Sequence, residues 1–275
     1  MKNINIRNIK TLFINELKIK QKSIIIFLLA ITGITNLYML LYPSVKEIFI
    51  DKLDAMPSEL LELFGISGAM PFTNYNMYFG SIAGILALVS ALYLLIFAVN
   101  IFMKEEEDKT IEYTYANSVS RSELWISKVL TIKVILILLF IIIFVSGTVA
   151  GLIVASDELN VLVMLGSSFF AFIISFFFVG ASLLLSSINM KFKPLSLGFA
   201  FLFSLYLLGY LGSIAGDSVA FLKYLSPFAA LSISDFSVSV VSNTAFNYWP
   251  LFIFTLISVV ATISAYFLYL RKDFK

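Results

Sequence analysis

Six runs of apolar residues, each near or beyond the ~20 residues that carry a helix across a bilayer, constrain this chain more than any other feature. They occupy residues 23–42, 78–103, 129–155, 161–188, 195–215 and 250–270. No water reaches mid-membrane to satisfy a backbone, so such runs read as helices, and they are too long for barrel strands. The second to fourth exceed the minimum, which implies tilt or extension past the lipid. The expected fold is all-α: a polytopic membrane protein with six transmembrane helices in one domain covering 1–275. Composition agrees, because 60% of the residues are hydrophobic and 13% are charged, against ~25% charged in a soluble domain. A globular core of this length has no room to hide that much apolar surface.

The missing residue types narrow the chemistry. The chain has no Cys, so disulfides, thiolate catalysis and iron–sulfur ligation are excluded. It has no His either, which removes the usual zinc ligands and the commonest general base. No catalytic or metal-binding residue is nominated. Apart from Lys133, which can snorkel to the inner surface, the spans hold no ionisable side chains except tyrosines. Ion-coupled transporters usually need carboxylates or basic groups at that depth, so ion-driven transport is not expected. There is no G-x-x-x-x-G-K-[ST] sequence, and no polar segment long enough for a nucleotide-binding domain. The chain is expected to bind no cofactor. If ATP drives it, ATP and Mg belong to another polypeptide.

Charge gives orientation. Of the 19 Lys and Arg residues, all but Lys46, Lys52 and Lys223 fall in loops on one side, the side that also holds both ends of the chain. Such asymmetry marks the cytoplasmic face. Tyr38, Tyr42, Tyr75, Tyr78, Tyr248, Trp249, Tyr266 and Tyr269 cluster at span boundaries, as interfacial anchors do. The polar stretch 1–22 is too long for a signal peptide, and no small-residue cleavage site follows, so the first span is read as uncleaved. Abundant Ile, Phe, Lys and Asn point to an AT-rich bacterial genome, and the expected location is the bacterial cytoplasmic membrane.

The loops carry the rest. Ile6, Ile9, Phe13 and Leu17 share one face of a predicted amphipathic helix in 1–22, which either lies in the inner interface against anionic lipid or serves only to set orientation. In the cytoplasmic loop 104–128, Glu105, Glu106, Glu107 and Asp108 are expected to open a short helix, where negative charge favours the dipole. Ile111, Tyr113, Tyr115 and Val119 then offer apolar contact area. Ser120 with Glu123 has capping-box spacing at the start of the third span. A solvated connector is the plainer reading, but long ordered loops inside a bundle tend to be functional. Outside, 43–76 reads as a small amphipathic cap without calcium-loop spacing. Gly80 with Gly84 and Gly147 with Gly151 fit the small-x-x-x-small pattern, and Gly209, Gly212 and Gly216 stripe the end of span five. These glycines serve a dimer seam or internal packing. The Phe-rich stretches around 169–178 and 199–203 read as packing or lipid-facing surface.

The loop sequence E-E-E-D-K-T-I-E-Y-T-Y-A-N-S-V-S-R-S-E-L-W-I-S-K resembles the loop after span two of type-2 ABC transporter permeases. That family's pattern of acidic residues, Gly-Thr-[Ile/Leu]-Glu, Pro-[Val/Ile]-Ser-Arg and a Lys opening span three is matched at Glu106, Thr110, Ile111, Glu112, Val119, Ser120, Arg121 and Lys128. Lys109 stands where Gly is usual and Ser118 where Pro is usual. Tyr224-Leu225-Ser226-Pro227-Phe228 is also similar to a family segment. The resemblance implies a coupling helix docking on an ABC ATPase subunit through Glu105, Glu106, Glu107, Thr110, Ile111, Glu112 and Tyr115. It also implies that Arg121 and Lys128 steady the loop near lipid headgroups. It further implies a second permease copy or a related permease as partner, and alternating access that exports cargo. The segment 216–248 then either re-enters the bundle, as in similar family members, or remains an outer loop. With no charged group available to face a cavity, the expected cargo is amphipathic or hydrophobic, such as an antimicrobial or toxic peptide. No nucleic acid is expected as a partner. The rival readings are a membrane anchor or sensor that recruits a partner without transport, and an intramembrane enzyme. The enzyme would need polar catalytic groups at depth, where only Ser, Thr, Asn and Tyr occur.

Overall fold

The structure, a computed structural model, describes residues 5–53, 70–107, 119–188, 194–214 and 217–272. Among them the regular elements are all helical, and six helices are long and apolar enough to cross a membrane. The first, α1 (Ile6–Leu40), joins the amphipathic stretch and the first span in one helix of 35 residues, about 52 Å at ~1.5 Å per residue. No Pro or Gly interrupts it before Gly33, so the two parts run together instead of separating at the interface. Its buried residues Ile24, Ile31, Thr35 and Met39 form a stripe at helical spacing. That stripe packs along α5 (Arg121–Val154), while Ile25, Ile26 and Leu29 stay exposed as lipid-facing residues should.

Two helices form the centre, α4 (Tyr75–Glu107) and α6 (Val161–Ser187), packed on each other along their length. On the other flank of α6 lies α10 (Trp249–Arg271). Gly180 lets them approach, since a Cβ there would meet the Ser258 carbonyl at 3.1 Å and Ala261 at 3.2 Å. Phe177 and Phe254 then meet edge to face at 5.3 Å. Buried serines cost little here because they bond their own helix: Ser182 Oγ donates to the Phe178 carbonyl at 2.7 Å and Ser258 Oγ to that of Phe254 at 2.6 Å. The fifth apolar helix, α7 (Pro194–Ile214), is peripheral, with Phe201, Phe203 and Leu207 exposed.

Short elements sit between spans. α2 (Tyr42–Leu53) and α3 (Met70–Thr73) flank a stretch outside the described residues, where part of the expected cap lies. After α7, a 3-10 helix (Asp217–Leu225), α8 (Pro227–Ala230) and α9 (Ile233–Val241) complete the set. The chain turns back along α7, bends by 97° at Ser226-Pro227, and lays α9 against α4. Of the two readings for 216–248, the described part follows the first, folding back into the bundle. Close packing holds it there: a Cβ on Gly80 would fall 2.2 Å from Ser237 Oγ, and one on Gly166 2.4 Å from the Phe236 ring.

Candidate functional site

The base of the 104–128 loop is built on the N-terminus of α5. Ser120 caps it, accepting from the Glu123 N–H at 3.2 Å, while the Glu123 carboxylate returns to the Ser120 N–H at 2.9 Å. This is the capping box read from the sequence. The carboxylate has a further use that spacing alone does not reveal. Glu123 is 2% exposed and also accepts from the Asn5 N–H at 2.7 Å and Asn8 Nδ2 at 3.4 Å. One buried carboxylate thus ties the start of α1 to the start of α5, satisfied by donors at two helix N-termini.

Cations close the other ends. Arg121 Nη1 donates to the Leu270 carbonyl at 3.0 Å and the Lys272 carbonyl at 2.8 Å, at the C-terminus of α10, where orphan carbonyls and the helix dipole favour positive charge. Lys272 is buried, and its Nζ donates to the Ser186 carbonyl at 2.9 Å, in the last turn of α6. Lys128 is fully buried, with Nζ 5.5 Å from the Phe102 ring centroid on α4. Phe102 meets Tyr269 edge to face at 5.6 Å, Trp125 meets Tyr266 at 5.0 Å, and the Tyr266 hydroxyl lies 3.1 Å from Ser122 Oγ. Arg121 and Lys128 thus have partners within the chain, at helix C-termini and beside an aromatic ring. Both flanks of the loop, with the ends of α6 and α10, form one platform.

Of the proposed docking residues, Glu105, Glu106 and Glu107 form the last residues of α4. They continue the helix of the second span up to the edge of the described residues, where the sequence reading has them opening a separate one. Lys and Glu are good helix formers, and no breaker separates them from the span. Thr110, Ile111, Glu112 and Tyr115 lie outside the described residues. The four glycines named for a seam or for packing all face their own chain. A Cβ on Gly147 would fall 2.1 Å from the Phe79 ring, and one on Gly151 2.7 Å from Tyr75 and Leu159. On Gly209 it would lie 2.5 Å from Ser226 Oγ, and on Gly212 2.6 Å from the Lys223 nitrogen.

At the opposite end of the bundle stands a group the sequence reading passed over. Glu158, in the short turn between α5 and α6, accepts from Lys46 Nζ at 2.5 Å, the Tyr42 hydroxyl at 2.6 Å and the Tyr75 N–H at 2.8 Å. Its carbonyl accepts from Asn76 Nδ2 at 2.7 Å, and Asn76 Oδ1 accepts from the Asn160 N–H at 2.8 Å. Partial burial pushes the carboxyl upward, but the bonds from Lys46, Tyr42 and the Tyr75 N–H outweigh it and hold the carboxyl below its ordinary value. An acid in a connection this short was the available signal. Its partners on α2 and α4 are visible only in three dimensions.

Between α4, α7 and the inserted segment lies a half-open cleft of about 230 Å³. Gly80, Ser81 and Gly84 form one wall, and Tyr206, Phe228 and Ser234 line it from other elements. Among the described residues no group of His, Cys, Asp and Glu is placed to hold a metal ion.

Comparison with known proteins gives one result. A family model described as the multidrug efflux system permease Rv1217c, C-terminal domain, matches residues 16–269. No curated protein matches the chain. With nearly the whole chain matched, and six helices able to cross a membrane, the chain belongs to this multidrug efflux permease family and is a multi-pass transport subunit rather than an enzyme.

Proposed function

We propose that this chain is the membrane-spanning subunit of an ATP-driven ABC exporter, paired with a second permease, which moves an amphipathic or hydrophobic cargo outward by alternating access. The observation that carries this reading is the platform beneath the 104–128 loop. Arg121, Glu123, Lys128 and Lys272 connect both flanks of that loop to α1, α6 and α10. Force applied to the loop by a nucleotide-dependent partner would reach the helix ends as a unit, as switching between two packed states requires. The polar 104–128 segment supplies the contact surface, with acids steering the approach and Ile111 and Tyr115 burying apolar area. These 275 residues contain no phosphate-binding loop, so the proposed ATPase lies outside them.

The test is a mild-detergent pull-down of the tagged protein from its native membrane, read by mass spectrometry. A co-purifying chain with a Walker A sequence is expected, and it should be lost when Glu106 and Ile111 are replaced together. Should no ATPase appear even after cross-linking, the exporter loses its motor and the protein is better read as an anchor or sensor.

A further inference from the structure

The cleft beside α4 owes its existence to one glycine. Gly80 and Gly84 look equivalent in the sequence, but a Cβ on Gly80 would strike Ser237, whereas one on Gly84 would meet nothing within 4 Å. Gly84 therefore makes no close helix contact among the described residues. Its missing side chain keeps a wall of the cleft open.

The space and its lining define what fits. About 230 Å³ exceeds the ~150 Å³ of an engineered apolar cavity that takes benzene, and falls short of the ~300 Å³ where pockets for drug-sized molecules begin. One or two fused rings match. Phe228 offers aromatic surface already fixed from two sides, stacked on Phe178 at 5.3 Å and edge-on to Tyr206 at 5.6 Å. Among the described residues no carboxylate, Lys or Arg lines the cleft, so a charged ligand would be buried without compensation. Polar matching comes instead from Ser81 and Ser234, whose hydroxyl oxygens lie 3.3 Å apart on two different elements. Ser81 Oγ also lies 3.2 Å from the Met77 carbonyl, its proton's other outlet, which leaves hydroxyl lone pairs to accept from a ligand. The rim residues Ile85 and Tyr206 are 58% and 40% exposed, so the cleft opens on the flank of the bundle.

We propose that this cleft is the cargo-recognition site and takes a neutral one- or two-ring aromatic group bearing a hydroxyl or similar donor, which enters sideways from the bilayer. The word cargo rests on the permease reading above; the binding site itself does not. The experiment uses the purified full chain in lipid nanodiscs, with 2-naphthol as the probe, naphthalene as the reference and empty nanodiscs to subtract partition into lipid. Saturable 2-naphthol binding is expected, tighter than that of naphthalene. Gly84→Leu should weaken it by about tenfold or more by filling the space. Ser81→Ala with Ser234→Ala should weaken 2-naphthol severalfold while leaving naphthalene unchanged. These serine variants remove only oxygen atoms, so they carry the test alone if Gly84→Leu does not fold. Non-saturable binding, equal binding of the two probes to the wild type, or Gly84→Leu binding like the wild type would each overturn the proposal. No ATPase is present in this assay. A chain that binds 2-naphthol yet recruits no ATPase keeps the site and loses the exporter reading, and the converse result removes the site alone.

Discussion

Arg121 and Glu158 anchor opposite ends of the bundle by different means. Arg121 serves orphan carbonyls at the end of α10. Arg121→Ala should therefore lower stability by about 1–2 kcal/mol, with Arg121→Lys recovering part of it through charge alone, measured as the thermal unfolding midpoint in detergent. Glu158 gathers three donors on a carboxyl held below its ordinary value. A folded-state value lower than the unfolded one gives stability that is fully present above the unfolded value and lost as pH falls through the folded one. The wild type should accordingly melt above Glu158→Gln by an amount that is constant above about pH 5 and shrinks on acidification below it. At neutral pH the difference should be about 1.5–3 kcal/mol, the range for hydrogen bonds to a charged group. A pH-independent gap between the two melting curves would contradict this account.

At the scale of elements, helix contacts here depend on where side chains are missing. Gly147 lies against the Phe79 ring, and its carbonyl accepts from the Tyr75 hydroxyl at 2.5 Å. A methyl group at Gly147 has to displace an aromatic ring that is itself fully buried, so Gly147→Ala should destabilise by about 1–3 kcal/mol through overpacking of α4 on α5. Gly84→Ala, pointing into open space, should be neutral or raise the midpoint, since Ala is the better helix former by ~1 kcal/mol. Identical midpoints for both variants would show that the two glycines do not differ as described. The small-x-x-x-small spacing was legible in the sequence, but it could not distinguish these cases. That spacing places two residues on one face, whereas the partner on that face is set by how α4, α5 and α9 lie in space. The same limit applies to Glu123. Its capping partner three residues away was readable, but Asn5 and Asn8, more than a hundred residues away, were not.

For the whole molecule, the absence of Cys makes topology directly measurable. If both chain ends lie inside, as the charge asymmetry predicts, a single cysteine at Asp157 should react with a membrane-impermeant maleimide on intact cells. One at Lys2 should react only after permeabilisation. Labelling in the opposite pattern would invert the arrangement and move the 104–128 loop away from any cytoplasmic ATPase.

What the sequence determined by itself was whatever depends on local composition and period: six spans, their helical character, the asymmetry of charge, and the capping signal at Ser120 and Glu123. These follow from the bilayer's thickness and the demand that backbone groups be satisfied within the segment, which act on each stretch independently. Only the tertiary structure decided what depends on neighbours. It set Arg121 on the end of α10 and Lys128 beside Phe102, closed Gly147, Gly151, Gly209 and Gly212 on their own chain, folded 217–241 back into the bundle, and joined Glu158 to Lys46. In lipid, helix association rests on close fit and a few polar contacts rather than on hydrophobicity. Those contacts join residues far apart in the chain, and no pattern along it records them.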